Sequence, residues 1–241
     1  MIRATLAATV LFAPALLAAQ APPQPKAREF TTNLSYVNTT GNSAITTTGA
    51  DERLILRPGW RWTHTQTFGV IYGKNAGSVN TENYRAGLKT EMAFTPRVGS
   101  YASINFTRNR FAGIDAQYVY SLGLSAQVLY ATNDQVSVEA GLARITQQNT
   151  TDGNDNFFSA RTAGLYHHNF RPGTFFEQSV ELLPNLKDAQ DLRVNSNSSL
   201  VAPIAAHFGL KVTYAIRYDH EPQPTFKSTD AVFTTGLQIN F

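Results

Sequence analysis

From Glu29 onward the apolar side chains recur with a period of two. Between Ala116 and Tyr130, one side of an extended chain carries Ala116, Tyr118, Tyr120, Leu122, Leu124, Ala126, Val128 and Tyr130. The other side carries Gln117, Ser121, Gly123, Ser125 and Gln127, with Val119 and Leu129 as its apolar members. Successive strand residues point to opposite faces, so this is a strand with one greasy wall and one small or polar wall. The same split recurs in Tyr84–Phe94, Val136–Leu142 and Phe208–Tyr218, with the charges away from the apolar wall. Twelve strands are predicted, over 28–38, 44–56, 60–72, 80–94, 98–109, 115–131, 135–146, 156–170, 174–184, 190–201, 206–219 and 229–241. Globular strands average about 5–6 residues, whereas a tilted strand crossing an outer membrane needs about 9–11. The expected fold is therefore all-β: a single closed antiparallel transmembrane β-barrel of about twelve strands in an up-and-down meander.

The connections alternate in length. Arg57-Pro58-Gly59, Thr95-Pro96-Arg97, Ala131–Asp134, Arg171-Pro172-Gly173 and Pro203–Ala205 are short and made of turn residues. Gly73–Val79, Arg110–Ile114, Gln147–Asp155, Pro184–Ala189 and His220–Ser228 are longer and more polar, while Thr39–Ser43 is short. One short rim and one long rim is the pattern of short periplasmic turns and longer external loops. An even strand number puts both termini on the short rim.

The final strand places Phe233, Thr235, Leu237, Ile239 and Phe241 on one face and Gly236 on the other. Gly236, Leu237, Ile239 and Phe241 read as the barrel-assembly signal, because the last strand must pair to leave no open edge in hydrocarbon. One strand fits less well. Trp60, Trp62, His64, Gln66, Phe68, Val70 and Tyr72 share a face, and the two polar residues in its middle suit lipid only if a bulge shifts the register.

The N-terminus reads as an export signal: Met1-Ile2-Arg3, an apolar run from Leu6 to Leu17, and the small-residue zone Ala18-Ala19-Gln20-Ala21. Cleavage after Ala19 or Ala21 fits, and Ala19 is preferred because Pro22 would be a poor first mature residue; residues 20–28 are then a polar lead-in and 29–241 the barrel. No cysteine is present, which excludes disulfides, thiolate metal sites and a lipoprotein anchor. No window approaches the length of a membrane-spanning helix. A net charge of +3 without any Lys/Arg cluster gives nucleic acid no support as a partner. The expected location is the outer membrane. The expected partners are its lipid and the assembly machinery that engages the last strand; oligomeric state stays open.

Chemistry is sparse. His64, His167, His168, His207 and His220 show no metal-ligand spacing, and neighbouring His167 and His168 point to opposite faces. Asp152-Gly153-Asn154-Asp155-Asn156 has calcium-loop oxygens but Ala163 where a bidentate glutamate would stand, so it reads as a polar loop. No cofactor, metal or catalytic residue is expected. The alternatives to a non-enzymatic barrel are an outer-membrane lipid hydrolase and a soluble periplasmic barrel with a ligand inside. The candidate binding residues are the presumed lumen charges Arg53, Arg85, Lys89, Glu91, Glu139, Arg161, Glu177, Glu181, Lys211 and Arg217. They form either a salt-bridged plug or a narrow polar channel.

Asn83–Lys89, then Phe106-Thr107-Arg108-Asn109-Arg110-Phe111-Ala112-Gly113-Ile114-Asp115, then Tyr118–Leu124 form a recognisable text. With Thr40-Gly41-Asn42-Ser43, Glu181–Leu186 and Thr229-Asp230, the chain resembles the YdiY-like family of salt-induced outer-membrane proteins, a domain-of-unknown-function family. The resemblance covers nearly the whole chain after the leader. It implies an outer-membrane barrel and a link to salt stress, and it brings no activity. Asn109 and Gln117 stand where the family pattern has an aspartate and an arginine, which removes an expected ion pair at the rim.

Overall fold

The computed structural model describes residues 26–39, 45–151, 153–188 and 190–241. The expected export signal and the Thr40-Gly41-Asn42-Ser43 motif lie outside the described residues. The strands are β1 (Arg28–Thr39), β2 (Ile45–Leu56), β3 (Trp62–Asn75), β4 (Ser78–Ala93), β5 (Val98–Asn109) and β6 (Ile114–Tyr130). They continue as β7 (Asp134–Asn149), β8 (Asn154–Arg171), β9 (Thr174–Pro184), β10 (Leu192–Ala205), β11 (Phe208–Asp219) and β12 (Thr229–Asn240). Each pairs antiparallel with its sequence neighbours, and β1 pairs with β12 to close the ring. The fold is the predicted twelve-stranded up-and-down barrel.

The period-two pattern explains which wall faces where. Leu122, Leu124, Val128, Leu142, Leu210, Tyr214 and Phe233 are exposed on the outside, whereas the polar partners of these residues in sequence line the interior. A contiguous apolar exterior of this kind marks a surface that meets lipid or protein rather than water, since soluble proteins rarely leave large greasy patches exposed. Closure pairs the backbone groups of both end strands, as hydrocarbon demands.

Three details depart from the sequence reading. Strands β3 and β4 are joined not by a long loop but by Ala76-Gly77. Both residues have left-handed backbones (φ +48° and +84°), the requirement of a tight two-residue hairpin turn, which extends the ladder to Asn75 opposite Ser78. The register of β3 does shift, but only after Gly73, so it leaves the strand below unturned. Gln66 and His64 accordingly stay on the outer face with Trp62. Finally, the inner wall is not uniformly polar: Ala143, Ile145, Phe157 and Leu183 pack together inside the barrel, with Val119 against them. This small apolar core thickens the β6–β9 side of the wall.

The closing seam is short. The β1–β12 ladder runs from Thr31 opposite Asn240 to Leu34 opposite Leu237, extended by Phe30 and Phe241 exchanging backbone hydrogen bonds of 3.3 and 2.9 Å. Gly236 lies just beyond it, where a Cβ would run into the Leu34 carbonyl oxygen. Only glycine lets the two backbones approach this closely. Leu237, Ile239 and Phe241 alternate along the outer face of the same strand, and the Phe241 ring lies 6.2 Å from that of Phe30.

Candidate functional site: the charged lumen

All ten candidate lumen charges line one internal cavity of about 1040 Å³. The cavity reaches Thr95-Pro96-Arg97 at the short rim and Pro222 and Gln223 at the long rim. Each charged residue points inward because it occupies the odd-numbered face of its strand, opposite the apolar residues.

Half of these charges are joined in a chain that crosses from β4 to β9 and ends on Asn195 of β10. Glu91 accepts from Lys89 at 3.0 Å, and Lys89 also donates to Glu139. Arg161 donates to Glu139 at 2.7 Å and to Glu181 at 2.6 Å, and Asn195 donates to the second oxygen of Glu181 at 2.8 Å. Arg161 and Glu139 have side chains only 10% and 14% exposed. Burial at this depth is tolerable because every charge here faces an opposite one and the carboxylate oxygens accept hydrogen bonds. Tyr101 adds its ring face, with the Arg161 guanidinium 4.9 Å and the Lys89 ammonium 5.5 Å from its centre. A second set bridges the lumen: Arg53 on β2 faces Glu177 on β9 at 4.0 Å, and Arg85 on β4 donates to Asp51 on β2 at 3.0 Å.

Two cations stand apart. Lys211 makes no hydrogen bond or ion pair among the described residues. Arg217 donates only to neutral acceptors: the Ser196 carbonyl at 3.1 Å, the Ile216 carbonyl at 2.8 Å and Asn197 Oδ1 at 3.0 Å. The mid-lumen carboxylates Asp51, Glu91, Glu139, Glu177 and Glu181 all have basic partners, with Glu91, Glu139 and Glu181 sharing Lys89 and Arg161, so five acids face six cations counting Lys211 and Arg217, and the surplus is one positive charge.

Several lumen residues escaped the sequence reading. Asp51 shares the face of Arg53 two positions on, so strand parity alone could have found it. Arg193, nearly buried over the Phe157 ring at 5.0 Å, gathers Asp155 at 3.5 Å, Asp219 at 3.5 Å and Asp191 at 3.8 Å, and donates to Gln147 at 2.8 Å. Asp155 thus belongs to this cluster in β8 rather than to a free polar loop; Asp152 lies outside the described residues. The rim ion pair thought lost at Asn109 and Gln117 exists in another form, since Asp115 pairs with Arg110 at 2.9 Å and Arg108 at 3.4 Å.

The loop after β11 lies over the external mouth. β11–β12 and β5–β6 lie on opposite sides of the ring, yet Phe226 sits against Gly113, at the β5–β6 connection. Gln223 accepts from Thr151 at 3.4 Å, and Thr225 is held in a left-handed backbone conformation (φ +77°). Segment 220–228 is therefore a strap across the opening.

The histidines are dispersed as their strand positions require. His167 faces Glu177 in the lumen at 3.8 Å, while His168 faces outward against Asp134 at 2.7 Å. Among the described residues no group of three or more His, Asp or Glu is placed to hold a metal.

A family profile described as "Protein of unknown function, DUF481" matches residues 32–241. A curated relative, "Uncharacterized protein YdiY" of Escherichia coli K12, is 24% identical over 79% of this chain and 73% of its own length. Among solved structures, the "KdgM porin" is 9% identical with a TM-score of 0.47, covering 89% of this chain and 99% of that one. The translocator domain of the autotransporter NalP from Neisseria meningitidis is 12% identical with a TM-score of 0.47, covering 91% and 90%. The "NanC porin" is 10% identical with a TM-score of 0.46, covering 88% and 97%.

Proposed function

We propose that this chain, which belongs to the DUF481 family of proteins of unknown function, sits in an outer membrane as a non-enzymatic barrel and passes small solutes through a narrow, water-filled lumen. The observation that carries this reading is the continuity of the internal cavity, which touches residues of both rims. Twelve strands lie between the side-chain-filled eight-stranded barrels and the open sixteen-stranded porins, a size at which lumen side chains decide what passes. Here they leave room while narrowing it with the Glu91–Lys89–Glu139–Arg161–Glu181 chain on one side and Arg53–Glu177 across the middle.

Lys211 and Arg217, which make no ion pair among the described residues, leave a surplus of one positive charge that gives the passage a weak preference for anions. Planar-bilayer recording of the refolded protein under a salt gradient tests both statements. A small conductance with a reversal potential on the anion side is expected, and Lys211→Gln with Arg217→Gln should move that potential toward zero. Absence of conductance at any voltage would retire the pore in favour of a structural barrel whose ion-pair network is a plug.

A further inference from the structure

The outside of the barrel is not the same all round. Over β6 and β7 it presents Tyr120, Leu122, Leu124, Val138 and Leu142. Over β1–β4 the outward positions include Thr32, Thr48, Ala50, Glu52, His64, Gln66 and Thr90, and four of these side chains are joined in pairs. Gln66 Nε2 donates to Glu52 Oε1 at 3.0 Å, His64 Nδ1 lies 3.1 Å from Thr90 Oγ1, and the Trp62 ring stacks on His64 with centroids 6.2 Å apart.

Depth makes Glu52 unusual. Its neighbour Gln66 lies four residues along β3 from Trp62 and six from Tyr72, the two amphipathic aromatic residues near the ends of the strand's outer face. At about 3.4 Å per residue and a tilt of about 40°, that is roughly 10 Å from the lower aromatic level and 15 Å from the upper. The carboxylate therefore lies inside the apolar band with one amide donor and several unused acceptor sites. A glutamate side chain is too short to reach the interface from there.

Several other outward polar groups have partners. Gln178, Ser196 and Ser198 close a neutral hydrogen-bonded set on β9–β10. Arg108 pairs with Asp115 at 3.4 Å, and Arg144 lies over the Phe158 ring at 5.6 Å and bonds Asn156 at 3.3 Å. Polar and ionisable groups at this depth normally face protein rather than acyl chains.

We propose that the outer face of β1–β3, centred on Glu52, is the contact surface for a second copy of this chain in the membrane. This rests on the reading that the barrel spans a bilayer. The patch is self-complementary: a two-fold axis along the membrane normal brings the acceptor Glu52 of each copy to the donors His64 and Gln66 of the other, as an isologous interface requires. Thr32, Thr48 and Ala50 are small enough to let the two walls approach. Contact of this kind replaces the missing hydrogen bonds of Glu52 and removes it from lipid at once.

The test uses the absence of cysteine in the chain. Ala50→Cys within the patch and Leu122→Cys on the far wall are each refolded into lipid vesicles and oxidised, and the wild type is weighed by native mass spectrometry from detergent. The proposal expects a wild-type dimer, disulfide-linked dimer from Ala50→Cys alone, and at least tenfold weaker association for Glu52→Leu, whose folding is checked by gel mobility. A wild-type monomer, equal cross-linking of both cysteine variants, or undiminished dimerisation of Glu52→Leu would overturn it while leaving the membrane reading intact. Recovery of the protein in the aqueous fraction without detergent would instead overturn the membrane reading.

Discussion

Leu122→Arg puts the orientation of the two walls at stake. Leu122 lies midway along β6, 64% exposed, facing outward between Ala102 on β5 and Leu142 on β7. In a bilayer that exposed surface is acyl-chain contact. An arginine on the lipid face near the midplane costs about 2–4 kcal/mol. Losing most of a leucine's apolar transfer energy adds about 1–2 kcal/mol. The substitution should therefore destabilise the barrel by on the order of 3–6 kcal/mol. Ser125→Arg supplies the comparison: it lies on the same strand but faces the cavity, directly opposite Glu139 in the ladder. A guanidinium there meets a carboxylate and lumen water, so the cost should stay below about 1 kcal/mol. Urea titration of protein refolded in vesicles, followed by the fluorescence of Trp60 and Trp62 and by folded-state gel mobility, measures both. An unchanged Leu122→Arg beside an unfolded Ser125→Arg would show the greasy wall turned inward and refute the account.

Three further outcomes follow from the same structure. Gly236→Val places a branched side chain against the Leu34 carbonyl at the closing seam, so assembly yield in vesicles should fall to a small fraction of wild type, whereas Gly59→Val, in an open turn, should assemble normally. Glu139→Gln leaves Lys89 and Arg161 with a neutral amide between them; urea midpoints should report a loss of about 2–4 kcal/mol, somewhat under the usual cost of breaking a buried pair because lumen water screens it, and an unchanged midpoint would count against the network. Replacing residues 221–227 by a short Gly/Ser link should raise single-channel conductance without altering thermal stability, and an identical conductance would show that the strap does not limit flow.

The walls were legible because a strand's side-chain period is an integer: once Leu122 is known to face out, Glu139 on the next strand is sorted by counting. The partner of Glu139 was not, because Lys89 and Glu139 sit on strands that are not adjacent and meet only when the sheet curls. The same holds for Arg53 and Glu177, which face each other across the interior. Asp51 was within reach of parity, since it precedes Arg53 by two positions on the same face. Asp191 and the Ala76-Gly77 turn were beyond it, since one lies in a loop and the other depends on left-handed backbone angles that neither residue type announces alone. Ile145, Phe157 and Leu183 hid because apolar residues inside a barrel break the alternation that reveals everything else. The mismatch of His64 and Gln66 with lipid was visible from the start, and the structure leaves it in place.

The strap from His220 to Ser228 reaches from β11–β12 to the β5–β6 connection on the opposite side of the ring. If the barrel conducts as proposed, whatever enters must pass beside this strap rather than through the full diameter set by the number of strands. Sieving is thereby separated from architecture: changes confined to a nine-residue hinge between β11 and β12 can retune the size limit while the sheet, its seam and its greasy belt stay as they are. Large intruders such as folded proteins meet a loop rooted in β11 and β12 and packed at its tip against Gly113.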